Sequence, residues 1–146
     1  MALVEFTNNQ APYINAENLN NNFNELNKIN SIIDGITLNT VSVTTDTTKE
    51  VGNYTIAENG TYLICGNIAP NYYNQSGREL NFTIKKNNTP FYVHNGVISG
   101  AYVFSSGIST VTDATENDIF TFEITNTDNT KSWAFVGGTI YFVKLK

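Results

Sequence analysis

The sequence predicts a mainly β fold, a sandwich or barrel of eight to nine short strands preceded by a short α-helix. Three observations carry this expectation. From residue 36 onward the apolar residues recur with the period of two of a strand, instead of the 3.6 of a helix. Turn residues punctuate the same stretch at Asn59-Gly60, Ser76-Gly77, Asn87-Asn88, Asn95-Gly96 and Asn126–Lys131. The polar residues are mostly Asn and Thr, with charged residues at only 14%. Thr suits exposed strand faces and Asn suits turns.

Residues 1–14 read as an extended arm, punctuated by Asn8, Asn9 and Pro12. A helix is expected from Asn15, a good N-cap, with Ile14 folding back onto Leu19 as a hydrophobic staple. Gly35 supplies its stop. Within it Leu19, Phe23, Leu26, Asn30 and Ile33 are spaced 4, 3, 4 and 3 apart, the alternation of a coiled-coil seam whose polar Asn sets register. The other reading is a single amphipathic helix lying on its own domain. Either way a helix this short is marginal alone in water. The expected plan is an arm and helical stem over residues 1–35 and a β head over residues 36–146.

Candidate strands are Thr37–Thr44, Glu50–Ala57, Thr61–Ala69, Arg78–Lys86, Pro90–Val93, Val97–Ser105, Ile108–Thr112, Asp118–Thr125 and Trp133–Leu145. In Arg78–Lys86 the residues Leu80, Phe82 and Ile84 oppose Glu79, Asn81, Thr83 and Lys85. Asp118–Thr125 behaves likewise, with Phe120, Phe122 and Ile124 opposing Thr121 and Glu123. Such strands have one wet face. Two others are apolar on both faces. Thr61–Ala69 sets Tyr62, Ile64 and Ile68 against Leu63 and Cys65, and Trp133–Leu145 sets Phe135, Tyr141, Val143 and Leu145 against Val136, Ile140 and Phe142. A two-layer sandwich covers one face only, so the second needs a loop, the stem or another subunit. With a multimeric stem attached, another subunit is the economical cover. Val136, Ile140 and Phe142 are expected at that contact, since leaving each in water forfeits about 1.5–3 kcal/mol.

The formal net charge of −5 and the eight thinly spread Lys and Arg, paired only at Lys85-Lys86, speak against a nucleic-acid partner and against anionic membrane surfaces. Cys65, the one cysteine, sits in the apolar run TYLICGNIA and reads as a small buried residue without disulfide or zinc partners. MALVEFTNN has no basic leader region, and WAFVGGTIYFV is shorter than the roughly 18 apolar residues a spanning helix needs. A soluble protein made in the cytosol is the expectation. The Asn-x-Ser/Thr sequons follow from Asn and Thr abundance alone.

No catalytic constellation is apparent, so no enzyme, cofactor or resident metal is expected. The only histidine, His94, lies in YVHNG, a turn signature, and reads as a loop residue able to touch a ligand. Asp113, Glu116 and Asp118 share one loop. They could hold calcium through oxygen ligands, but a solvated acidic turn is the simpler reading. For recognition, PNYYNQSG stands out: Tyr72, Tyr73, Asn74 and Gln75 combine flat aromatic surface with amide hydrogen bonding, suited to saccharides or protein. Trp133 offers the same chemistry beside a polar loop. The structural alternative is that Tyr72 and Tyr73 roof the sandwich and Trp133 is core.

Two parts of the chain, its opening and its head, resemble known families. FTNNQAPYINAENLNNNFNELNKI is similar to the N-terminus of tail, baseplate and head-fibre proteins of phages and prophages of low-GC bacteria. ENGTYLICGNI, RELNFTIKKNN, STVTDATENDIFTFEITNT and GGTIYFVKLK resemble the jelly roll shared by tumour necrosis factor and complement globular heads. The resemblance implies a jelly-roll head, trimeric about its closing strand, in a virion component. It further implies an N-terminal arm that engages other virion proteins and loops that bind a host-surface glycan or protein. A purely architectural head fibre or decoration is the first alternative, and a necrosis-factor-like signalling ligand the second.

Overall fold

The computed structural model describes residues 20–21, 33–71, 78–98, 106–127, 130 and 132–146. The chain divides into two units, Met1–Ile33 and Asp34–Lys146. Within the first, Asn20 and Asn21 are helical and Ile33 is an exposed strand residue. The expected seam residues Leu19, Phe23, Leu26 and Asn30 lie outside the described residues.

The helix-then-sandwich fold class is corrected at this point. Among the described residues, apart from the helical pair Asn20 and Asn21, every ordered element is a strand. Ile33, Asp34 and Gly35, expected to finish a helix, open strand β1 (Ile33–Leu38). The physical reason is tertiary. In IDGITL the alternation places Leu38 in the core at 2% exposure and packs Ile36 against it, a pattern a helix cannot provide.

The other strands are β2 (Val41–Val43), β3 (Thr48–Thr55), β4 (Gly60–Asn71), β5 (Arg78–Lys86), β6 (Thr89–Ile98), β7 (Ser106–Ala114), β8 (Ile119–Asn126) and β9 (Trp133–Lys144). One sheet runs β1-β9-β4-β7, with β2 also on β9; the other runs β3-β8-β5-β6. Pairing is antiparallel. Taking β1 and β2 as one strand broken at residues 39–40 leaves two four-stranded layers. The chain switches layer at almost every connection, and only the β5–β6 hairpin stays within one. That is a jelly-roll arrangement of two antiparallel sheets.

The β5–β6 turn is Asn87-Asn88, at φ 49° and 67°, the left-handed pair that a two-residue hairpin with right-twisted strands requires. Asn95-Gly96, expected to be a second turn, is not one. β6 runs straight through it, with Asn95 opposite Asn81 and Gly96 opposite Leu80. A full-length ladder with β5 outweighs the local turn preference of the dipeptide.

The inner faces of both sheets meet in one core. Phe82 and Ile84 of β5 and Phe120, Phe122 and Ile124 of β8 come from one layer; Ile64 and Ile68 of β4 and Phe135, Ile140 and Phe142 of β9 come from the other. Each of these is at most 1% exposed. Phe142 lies at the centre of the aromatic contacts. Its ring stacks on Tyr54 at 4.1 Å between centroids and meets Phe120 at 5.4 Å and Phe122 at 6.2 Å.

Candidate functional site

β9 decides what the first sheet shows to solvent. Ile68 of β4 pairs with Gly138, but Pro70 pairs with Phe135, so β9 carries one extra residue there, a β-bulge. Gly137 takes φ 112°, a left-handed backbone that glycine adopts without steric cost. A Cβ on Gly138 would collide with the carbonyl oxygen of Asn67 on the neighbouring strand. The bulge reverses side-chain parity, so Phe135 and Ile140, five positions apart, both enter the core. Strict alternation had grouped Ile140 and Phe142 with Val136 as a subunit contact. That grouping is corrected: Ile140 is 0% and Phe142 1% exposed inside their own sandwich, and only Val136, 41% exposed, faces outward.

The outward residues of this sheet are instead Tyr141 and Val143 of β9, Leu63 and Cys65 of β4, and Ser109 and Val111 of β7. Register sets them in rows. Val143 lies opposite Leu63, which lies opposite Val111; Tyr141 lies opposite Cys65, which lies opposite Ser109. Val111 is 57% exposed and Tyr141 47%, while Leu63, Cys65 and Val143 are half-buried. The Tyr141 ring lies over Gly35, where an added Cβ would stand 3.0 Å from Cδ1. Leu145, 51% exposed, follows at the end of the strand. The rim is polar: Thr61 Oγ1 donates to Asp113 at 2.7 Å, and Lys144 Nζ donates to Glu58 at 2.6 Å. That pair lowers the Glu58 pKa and raises that of Lys144, in each case chiefly through the hydrogen bond to the other.

The outer face of the second sheet has the opposite character. Asn81, Thr83 and Lys85 of β5 lie beside Thr121, Glu123 and Thr125 of β8. Lys85 Nζ meets Glu123 at 2.7 Å, the Thr48 and Thr125 hydroxyls share a 2.8 Å hydrogen bond, and Asn53 Nδ2 donates to Glu50 at 2.9 Å. Val93, 50% exposed on edge strand β6, and Ile119, 46% exposed at the start of β8, are apolar exceptions. A polar outer face needs no cover, whereas a contiguous apolar one marks an interaction surface.

The remaining candidates are dispersed. His94 is not in a turn. It is a half-buried β6 residue whose Nε2 lies 2.9 Å from Ser106 Oγ of β7, joining the edge strands of the two sheets. Trp133 is 6% exposed and belongs to the core. Tyr72, Tyr73, Asn74 and Gln75 lie outside the described residues. The acidic loop does not form one ligand set. Asp118, only 8% exposed, receives hydrogen bonds from the Thr115 amide at 2.8 Å and Asn87 Nδ2 at 2.7 Å, and ion-pairs with Lys86 at 2.9 Å. These partners, the Thr115 amide foremost, hold its carboxyl well below the ordinary range. Asp113 binds Thr61, and the Glu116 amide donates to Asn59. Among the described residues no group of His, Cys, Asp and Glu converges as metal ligands.

Sequence reasoning missed the grouping of Tyr141, Val143, Leu63, Cys65 and Val111. The available signal was the Gly137-Gly138 pair within an otherwise strand-like run, because glycine inside a strand marks a bulge or a close backbone approach.

No protein-family model matches the chain, and no curated protein matches it. Solved structures do. A chain of infectious bursal disease virus, Gx strain, superposes with a TM-score of 0.60 at 13% identity, over 77% of this chain and 33% of that one. Eiger TNF from S. frugiperda gives 0.58 at 14% identity, over 79% of this chain and 92% of that one. Murine APRIL gives 0.50 at 10% identity, over 75% of this chain and all of that one. At these identities the likeness shows the fold: a jelly roll of the kind found in TNF-like ligands and viral proteins.

Proposed function

We propose that this chain is the head of a non-enzymatic, homotrimeric bacteriophage virion protein that attaches to a host-surface glycan or protein. The N-terminal arm would anchor it to other virion proteins. The observation that supports this most is the asymmetry of the sandwich, with one polar outer face and one apolar outer face. A domain with one face suited to water and one suited to cover has the surface of an assembly unit. The jelly roll is common to the viral chain and to the TNF-type chains, so the fold does not choose between a virion part and a signalling ligand. The phrase APYINAENLN, with its resemblance to phage tail and fibre N-termini, favours the virion.

The segment PNYYNQSG carries the attachment role in this reading, with Tyr72 and Tyr73 as aromatic platforms. The test is binding of purified protein to cell-wall polysaccharides and intact cells of low-GC bacteria. Tyr72→Ala combined with Tyr73→Ala is expected to weaken attachment tenfold or more, since an aromatic hot-spot residue is worth about 2 kcal/mol. Absence of binding to every such surface would refute the attachment role and leave an architectural fibre or decoration in its place.

A further inference from the structure

We infer that the outer face of the β3-β8-β5-β6 sheet carries a binding site for an uncharged polysaccharide, laid along the row Thr48–Thr125–Asn81–Asn95. This rests on the proposal that the chain attaches to a host surface, and it names the class of ligand and the side chains that hold it.

Register draws one residue of that row from each strand of the sheet. Thr48 of β3 lies opposite Thr125 of β8, Thr125 opposite Asn81 of β5, and Asn81 opposite Asn95 of β6. Residues directly opposite share a face, and Phe82 and Ile124, next to Asn81 and Thr125 along their strands, enter the core, so the row points outward. Thr48 and Asn95 are exposed, and Thr125 and Asn81 half-buried. At about 4.8 Å between strands the row runs roughly 14 Å, longer than one sugar ring. Hydroxyls and carboxamides both donate and accept hydrogen bonds, as sugar hydroxyls do. The Thr48 and Thr125 hydroxyls share one bond of 2.8 Å and keep a proton and lone pairs for others. Charge selects a neutral ligand. The row holds no charged side chain, and the row beside it holds Glu50 and Glu123, followed by Thr83 and Val93. Lys85 is already paired with Glu123 at 2.7 Å. A phosphate- or carboxylate-bearing polymer on the row would face those two carboxylates, on a chain of net charge −5. A neutral glycan meets no such repulsion, and Val93, 50% exposed, offers an apolar contact to the C–H face of a sugar ring. Position agrees: Asn81 stands near the start of β5, the strand that directly follows PNYYNQSG in the chain.

The test measures binding of the full chain to intact cells of low-GC bacteria and to two fractions of their walls, the neutral polysaccharide and the phosphate-bearing teichoic acid. The neutral fraction should bind, with a Kd that added salt leaves unchanged, because no ion pair forms. Asn81→Ala combined with Asn95→Ala should raise that Kd at least tenfold, with mass and melting temperature as in the wild type. Asn95→Asp, on an edge strand, serves as the second variant should the double one fail to fold, and should weaken binding by removing the amide donors. Thr121→Ala, two rows away on the same face, should bind like the wild type. Binding to teichoic acid alone, released by salt, overturns the inference and spares the attachment reading. So does cell binding that Tyr72→Ala with Tyr73→Ala removes and the asparagine variants leave unchanged. Neutral-polysaccharide binding that needs Asn81 and Asn95 but neither tyrosine supports the inference and sinks the role given to PNYYNQSG. A chain that binds neither wall fraction nor cells overturns both.

Discussion

Replacing Phe142 with Ala tests the central correction, because the bulge in β9 turns Phe142 inward while its neighbour Tyr141 faces out. The Phe142 side chain is 1% exposed and touches three aromatic rings, those of Tyr54, Phe120 and Phe122. Truncating a buried Phe to Ala removes its transfer energy and leaves a cavity, for about 3–5 kcal/mol. The loss should fall in the upper part of that range, since the stack on Tyr54 is also lost and aromatic pairs add about 0.5–1.5 kcal/mol. Tyr141→Ala removes a ring that is already 47% exposed and should cost the single chain only about 1 kcal/mol. The assay is urea unfolding of both variants at concentrations where the midpoint no longer changes on dilution, so that assembly does not contribute. Domains of this size have total stabilities of about 5–15 kcal/mol, so Phe142→Ala should sit near or beyond the limit of folding. A Phe142→Ala loss no larger than that of Tyr141→Ala would place Phe142 outside the core and refute the parity reversal.

Asp118→Ala should cost about 1–3 kcal/mol, because the Thr115 amide, the Asn87 amide group and Lys86 lose their common acceptor. Since the folded carboxyl is held below its unfolded value, its contribution is fully present above about pH 4 and is lost as the pH falls further. Unfolding midpoints of the wild type should therefore drop on acidification more steeply than those of the variant; parallel pH profiles would refute the role. Gly138→Ala should destabilise by about 1–3 kcal/mol, because the methyl meets the Asn67 carbonyl and lies 3.1 Å from the Ile68 Cα. An unchanged melting temperature would mean the two strands are not that close. Asn87→Ala should lower stability by about 1–2 kcal/mol, since the side chain accepts from the Ile119 amide at 2.9 Å, donates to Asp118 at 2.7 Å and supports a left-handed φ of 49°. Asn87→Gly, which relieves only the backbone cost, should recover part of that loss in the same unfolding assay.

By itself the sequence determined whatever depends on near neighbours along the chain. Alternation in Arg78–Lys86 and in Asp118–Thr125 placed Phe82, Ile84, Phe120, Phe122 and Ile124 on one face, and all five are core residues. Asn87-Asn88 marked a hairpin turn because its two residues tolerate left-handed backbone, a property local to the dipeptide. The presence of strands apolar on both faces was also legible, and with it an outer surface rich in apolar side chains. Only the tertiary structure decided the rest. Ile33–Gly35 carried helix signals, yet they extend into a strand because β9 offers them a ladder and the core offers Leu38 a site. Asn95-Gly96 carried a turn signal, yet it stays extended because β5 supplies partners along its length. Which side of β9 faces out depended on the extra residue at Gly137-Gly138, whose effect is set by the pairing of Gly138 with Ile68 and of Phe135 with Pro70 on β4. Parity counted along one strand fails at a bulge, and a bulge exists only relative to the strand beside it. For that reason the outward row of Leu63, Val111 and Val143 could be read only once β4, β7 and β9 lay side by side.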